Sequence, residues 1–254
     1  MSIRYGSNNG SNFRSGGSGY EEAPTQVSPT QQMAMSRFVS RTYGWMFIGL
    51  LLTGIVASMI ASSESAMAMV ASSPGIMMVL VIAQLGIVMG LSMAYQKLSA
   101  ATATLGFLAY SALTGVTFSV IFLIYTASSI GQVFMITAGM FGGLALYGTV
   151  TKKDLTGIGT FVGMGLWGLI LVGVVNMFVR SEALSMGLSA IAVVVFSGLT
   201  AYDAQRIRAM AYASTLGGST QDGDKSAIMG ALMLYLNFIN LFWALLRLFG
   251  NRRE

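Results

Sequence analysis

The residues with chemical capability are few, and most lie late in the chain. In "FSGLTAYDAQRI", residues 196–207, the carboxylate of Asp203 stands one turn before Arg206 in otherwise apolar sequence. About thirty residues on, "LYLNFINLFWALLRLFG" carries Asn237 and Asn240 three apart, with Arg247 about two turns further along. Tyr110, Thr114 and Thr117 recur at i, i+4 and i+7, which puts three hydroxyls on one helix face. Carboxylates, amides and hydroxyls can hold a cation or pass a proton. Little else is available, because the chain has no Cys and no His, which removes thiolate nucleophiles, imidazole bases and the usual zinc, copper and haem ligands. No enzymatic activity is expected. Intramembrane aspartyl proteolysis needs a second carboxylate facing Asp203, and the helix that holds Asn237 has none. Ser197-Gly198 has no His to act as base. The stretch "DGDK", with Asp222 and Asp224, starts like a calcium-binding loop but lacks the remaining ligands, and reads as a solvated turn.

The elements that must position these groups are membrane helices. The chain has 254 residues, of which 54% are hydrophobic and 9% charged, against about one quarter charged in soluble domains. Its mean hydropathy is +0.70. A bilayer core of about 30 Å takes about 20 apolar residues in a helix. Seven runs fit: residues 43–62, 75–95, 101–126, 130–150, 157–179, 186–207 and 227–249. The third is the longest, which predicts a tilted or kinked helix. The expected fold is an all-α polytopic membrane protein: a polar, disordered tail over residues 1–36, then a seven-helix transmembrane domain over residues 37–254. The net charge of +5 does not indicate nucleic acid, because the basic residues stand singly at the ends of apolar runs.

Orientation follows from the Lys and Arg distribution. Over residues 37–254, eight fall on the amino-terminal side of an alternating seven-span topology and four on the other, so the amino terminus is expected in the cytoplasm and the carboxyl terminus opposite. The basic ending "RLFGNRRE" dissents, and a re-entrant last helix would satisfy it. The pairs Gly86/Gly90, Gly139/Gly143 and Gly159/Gly163 are expected to let helices approach closely within a monomeric bundle. Homo-oligomerisation through one of them is the alternative.

Asp203 is the only acidic residue inside an expected span. A carboxylate there costs about 2.5–3.5 kcal/mol on insertion scales, so it should face the bundle interior and have a partner. The bland reading is that Asp203 only pairs with Arg206 or reaches interfacial water. For Asn237 and Asn240 the bland reading is interhelical hydrogen bonding; for Tyr110, Thr114 and Thr117 it is packing, against a polar lining to a path beside Asp203.

"GLTAYDAQRI" followed by "LYLNFINLFWALLRLFG" resembles the Bax-inhibitor-1 family, closest to its bacterial inner-membrane branch, with further likeness in "YGWMFIGLLLTG", "QKLSA", "YSALTGVTFS" and "LYGTVTKKDL". The resemblance implies seven helices with the last at the centre of the other six. It also implies a pH-sensitive calcium leak controlled by two carboxylates, on helices six and seven. The first falls on Asp203. The second falls on Asn237, where the family pattern has Asp, so the pair is broken. The family's latching cation falls loosely on Lys97. No cofactor is implied beyond calcium as permeant ion, which one carboxylate would bind weakly, since calcium prefers about 6–8 oxygens. Two close carboxylates share a proton, whereas Asn offers Asp203 an N–H, so the expected gate takes one proton and responds less steeply. The second reading allowed by the resemblance is a membrane stress or quality-control factor that binds membrane proteins such as an AAA protease, without transport.

Overall fold

The structure, a computed structural model, describes residues 28–95, 97–216 and 220–253. Its helices are α1 (Pro29–Ala61), α2 (Glu64–Ser72), α3 (Pro74–Met93), α4 (Ala100–Phe118), α5 (Ile121–Ile124), α6 (Ala127–Val150), α7 (Thr156–Val179), α8 (Glu182–Ser214) and α9 (Thr220–Phe249). Seven spans are long and apolar enough to cross a membrane: α1, α3, α4 continued by α5, α6, α7, α8 and α9. The expected kink in the third span is a break at Ser119–Val120, where the backbone turns between α4 and α5.

Several expected boundaries are corrected. Residues 1–27 of the anticipated tail lie outside the described residues, but its last stretch is helical. Ser28 and Gln31 cap each other's backbone N–H groups and Pro29 occupies the first turn, so α1 starts well before the first apolar residues. The separator "SSESAMAMVASSP" forms α2, whose Met67 and Val70, three apart, give it a small buried face. α8 runs seven residues past Ile207, and α9 starts at Thr220, so "DGDK" is helical and not a solvated turn; its Asp224 pairs with Arg41 of α1.

α9 is the axis of the bundle. Of its most apolar 18-residue stretch 72% is buried, against 39% for α4 with α5 and 6% for α3. An apolar residue gains nothing by leaving lipid for protein, so an outer helix can stay largely lipid-exposed; α9 carries polar groups on more than one face and cannot.

Hydrogen bonds define the two ends of the bundle. At one, Arg208 Nη1 donates to the Thr149 carbonyl at 2.9 Å, Gln205 bridges Lys153 O and Leu155 N–H at 2.8 and 2.9 Å, and Tyr95 bonds Ser226 at 2.7 Å. At the other, the carboxyl-terminal residues are fastened to the α5–α6 junction: Thr126 N–H to Asn251 O at 3.1 Å, Arg253 N–H to Ile124 O at 2.8 Å, and Asn251 N–H to Ser129 Oγ at 2.8 Å. Arg252 also pairs with Glu182 at 3.2 Å. α9 therefore traverses the bundle once, and the re-entrant ending is not observed. The basic ending is accounted for by these local partners.

The expected glycine pairs are mostly not contacts. A Cβ added at Gly86, Gly90, Gly139, Gly143 or Gly163 would meet nothing within 4 Å; only Gly159 packs tightly, under Tyr202. The close approaches fall elsewhere. At Gly148 a Cβ would lie 2.0 Å from the backbone oxygen of Ala201, and at Gly115 2.8 Å from that of Thr53. Backbone cannot yield as a flexible side chain can. Gly148→Ala is therefore expected to cost about 1–3 kcal/mol through overpacking, seen as a lower melting temperature in detergent. Gly143→Ala, one turn away in open space, should melt at or above the unmodified protein.

Candidate functional site

The seam between α8 and α9 is built from small residues. Ala204 and Ala211 on α8, with Ala227 and Ala231 on α9, are almost wholly buried. Within this seam Asn237 Nδ2 donates to Asp203 Oδ2 at 2.7 Å. Asp203 is 8% exposed and Asn237 5%, so both are closed off from lipid and bulk water. Asp203 thus faces inward and has a partner, Asn237, the position on which the resemblance places a second carboxylate.

The two residues meet because α8 and α9 are staggered in depth, an offset that the longer helices leave unchanged. With α8 ending at Ile207, Asp203 would lie about 6 Å from its end while Asn237 would lie about 15 Å into the next span. With the observed ends, Asp203 is about 16 Å from Ser214 and Asn237 about 26 Å from Thr220, and a stagger of about 10 Å brings them level.

The surroundings contribute one charge. Arg206, exposed and one turn along α8, attracts the Asp203 carboxylate from the rim of the seam. Lys97 is exposed after α3 and pairs with no carboxylate among the described residues. The contact between the end of α3 and α9 is made by Tyr95, through its bond to Ser226 and through Lys225, whose Nζ stands 4.8 Å from the ring centroid. Among the described residues no group of three or more Asp or Glu side chains converges, so a cation at Asp203 would meet a single carboxylate.

The hydroxyl stripe divides. Thr117 accepts from Gln84 Nε2 of α3 at 2.6 Å. Tyr110 and Thr114 are buried around Tyr235 of α9, a residue the sequence reading passed over. The Tyr235 hydroxyl bonds Thr53 Oγ1 at 2.6 Å, and Thr53 Oγ1 lies 2.9 Å from both Gly49 O and Ser111 O. The Tyr235 ring meets Phe107 and Tyr110 edge-on, with centroids 5.6 and 5.8 Å away. Residues two apart on a helix point about 200° apart, so Tyr235 joins α9 to α1 and α4 while Asn237 joins it to α8. The signal was present in "LYLNF", since a Tyr inside a span needs a hydroxyl partner when buried. The Thr114 hydroxyl donates to Tyr110 O and the Thr117 hydroxyl to Leu113 O, both within α4, and Thr117 is joined to Gln84 on α3.

Asn240 is not joined to Asp203. Its Nδ2 donates to Leu236 O at 2.8 Å, and with Ser189 and Arg247 it lines a cavity of about 230 Å³ among α7, α8 and α9.

The Asp203–Asn237 bond is testable by stability. Asn237→Leu leaves a buried carboxylate without its donor and is expected to cost about 1.5–3 kcal/mol, the range for hydrogen bonds to charged groups. Asp203→Asn, which keeps an amide–amide bond, should cost less. In thermal unfolding in detergent at neutral pH, the Asp203→Leu/Asn237→Leu pair should lose less than the sum of the two single Leu variants.

Comparison with known proteins bears on what this geometry belongs to. A family model described as "Inhibitor of apoptosis-promoting Bax1" matches residues 35–254. The inner membrane protein YbhL of Escherichia coli K12 is 48% identical over 219 residues, covering 86% of this chain and 93% of the relative. An uncharacterised protein of Deinococcus radiodurans is 43% identical over 232 residues (90% and 97%), and protein RP147 of Rickettsia prowazekii, also uncharacterised, is 40% identical over 230 (91% and 96%). With its seven membrane-length helices around a central α9, the chain belongs to the Bax-inhibitor-1 family of membrane proteins.

Proposed function

We propose that this protein is a pH-sensitive cation leak of the bacterial inner membrane, with calcium as its permeant ion, gated by protonation of Asp203. The observation that carries the reading is the 2.7 Å bond from Asn237 to Asp203 across the α8–α9 seam. An ionised Asp203 makes this a charge-assisted bond, roughly twice as strong as a neutral one. It ties the axial helix to a neighbour. Adding one proton removes the charge, weakens the tie and lets the seam open. The seam around the bond includes the small side chains Ala204 and Ala231, which have little area to lose when it loosens.

Three further features support the reading. The bundle end defined by Gln205, Arg208 and Tyr95 also holds Lys152, Lys153 and Lys225, which suits a cytoplasmic position for that end and for the amino terminus. Each helix that touches α9 finds its polar partners inside one chain, which suits a monomer. Asp203 stands within two residues of Gln205, which is fixed to the α6–α7 connection, so protons reach it over a short distance from that side.

The deciding experiment is calcium flux into proteoliposomes from pH 5 to 8, for the unmodified protein, Asp203→Asn and Asn237→Asp. Unmodified protein should show flux that rises as pH falls. Asp203→Asn, which cannot change charge, should lose that dependence, and its rate should stay near the acid-pH rate of the unmodified protein at every pH, about tenfold or more above the unmodified rate at pH 8, equivalent to about 1.4 kcal/mol at the gate. Asn237→Asp should steepen the response by restoring a second proton site. Silence in all three folded proteins overturns the leak and favours a factor that acts by binding membrane proteins.

A further inference from the structure

A second site lies outside the seam, on the lipid-facing side between α1 and α6. There the two helices stand apart and leave a groove of about 540 Å³ with Phe238 of α9 in its floor. The groove exists because α6 presents Ala138, Gly142 and Ala145 at i, i+4 and i+7, small side chains on one face. Nothing lies within 4 Å of where a Cβ of Gly142 would stand. Protein does not fill this trough, so in a bilayer something else does.

Length and polarity indicate the occupant. Along α6 the groove runs from Phe134 to Thr149, about 22 Å at 1.5 Å per residue. One leaflet contributes half of a core of about 30 Å, so an acyl chain fits lengthwise. The lining is apolar except at one end, where Tyr43 and Thr149 bring hydroxyls. That end is also cationic. The Thr149 carbonyl accepts from Arg208 Nη1 at 2.9 Å, and Lys152 and Lys153 follow within about one turn, all three side chains being exposed and none paired with a carboxylate among the described residues. The acidic residue of the same connection, Asp154, is turned onto Thr156: its Oδ1 accepts from the Thr156 hydroxyl at 2.6 Å and N–H at 2.9 Å. Those two bonds, the hydroxyl first, hold its carboxyl below the usual carboxylate range. Three cations against one engaged carboxylate leave an excess of positive charge where the apolar trough meets the membrane surface.

We infer that this groove binds an anionic phospholipid, with one acyl chain along Ala138, Gly142 and Ala145 and the phosphodiester at Lys152, Lys153 and Arg208. Neither a zwitterionic lipid nor a helix from a second copy would match that charge. The site is independent of the leak reading, and its test does not use flux.

The full chain in detergent is mixed with equimolar phosphatidylglycerol and phosphatidylcholine of the same chains, and retained lipid is read by native mass spectrometry. Phosphatidylglycerol should be retained in clear excess. Lys152→Gln/Lys153→Gln should cut that excess by about fivefold or more, since each basic residue near an anionic lipid surface is worth about that factor. Gly142→Trp, projecting into open space, should reduce retention of both lipids with the melting temperature unchanged. Glycerophosphoglycerol, the headgroup without chains, should not displace bound lipid. Equal retention of the two lipids, a preference that survives the double substitution, displacement by the bare headgroup, or a dimer that Gly142→Trp dissociates would each overturn the assignment.

Discussion

The bond between Asn237 and Asp203 sets the arrangement around it, because a carboxylate in a bilayer has to be enclosed by protein. Enclosure on one side would be enough if α9 had one polar face. It has two: Asn237 turns to α8, and Tyr235 turns to Thr53 of α1 beside Ser111 of α4. A helix with polar groups on opposite faces has no face to spare for lipid, so it must sit inside a ring of others. The outer helices face no such demand. α3 and α7 are apolar nearly all round and bury few residues, which lipid permits because it solvates Leu and Met as well as protein does.

Close packing is then concentrated where it serves that core. Gly148 lies against the backbone of Ala201, two residues before Asp203, and Gly115 lies against Thr53, whose hydroxyl holds Tyr235. Two of the glycines that permit close backbone approach thus flank the polar bonds. A Gly-xxx-Gly pattern records only spacing on one helix. Gly86/Gly90 and Gly139/Gly143 have that spacing and face open space, because the facing element was not known from the pattern.

The same distinction explains how much was legible beforehand. Seven spans follow from hydropathy, and the axial last helix is what the family resemblance implies; both are observed. Asp203 was legible as an inward-facing group because its cost admits few alternatives. The ends of α1, α8 and α9 were not, since hydropathy marks where lipid stops and these helices continue into water; only the Ser28–Gln31 cap was a readable start. The hydroxyls Tyr110, Thr114 and Thr117 share a helical face in sequence, yet Thr117 reaches Gln84 on one neighbour while Tyr110 and Thr114 gather at Tyr235 on another. A helix face can span two neighbours, and spacing alone does not divide it.

Where the family resemblance places a second carboxylate this chain has Asn237, and the two side chains would hold the seam differently. Two facing carboxylates are joined only when a proton lies between them, and they repel once both are ionised. The Asn237 amide carries its own donor, so the bridge to Asp203 stands with no titrating proton in it. The proton count of the seam therefore changes by at most one between its two states, the change belonging to Asp203. Stability depends on pH in proportion to the difference in bound protons, so one site sets an upper limit on how steeply any event at this seam can follow pH. A carboxylate at position 237 would give the seam two titrating groups; with Asn237 it has one, Asp203.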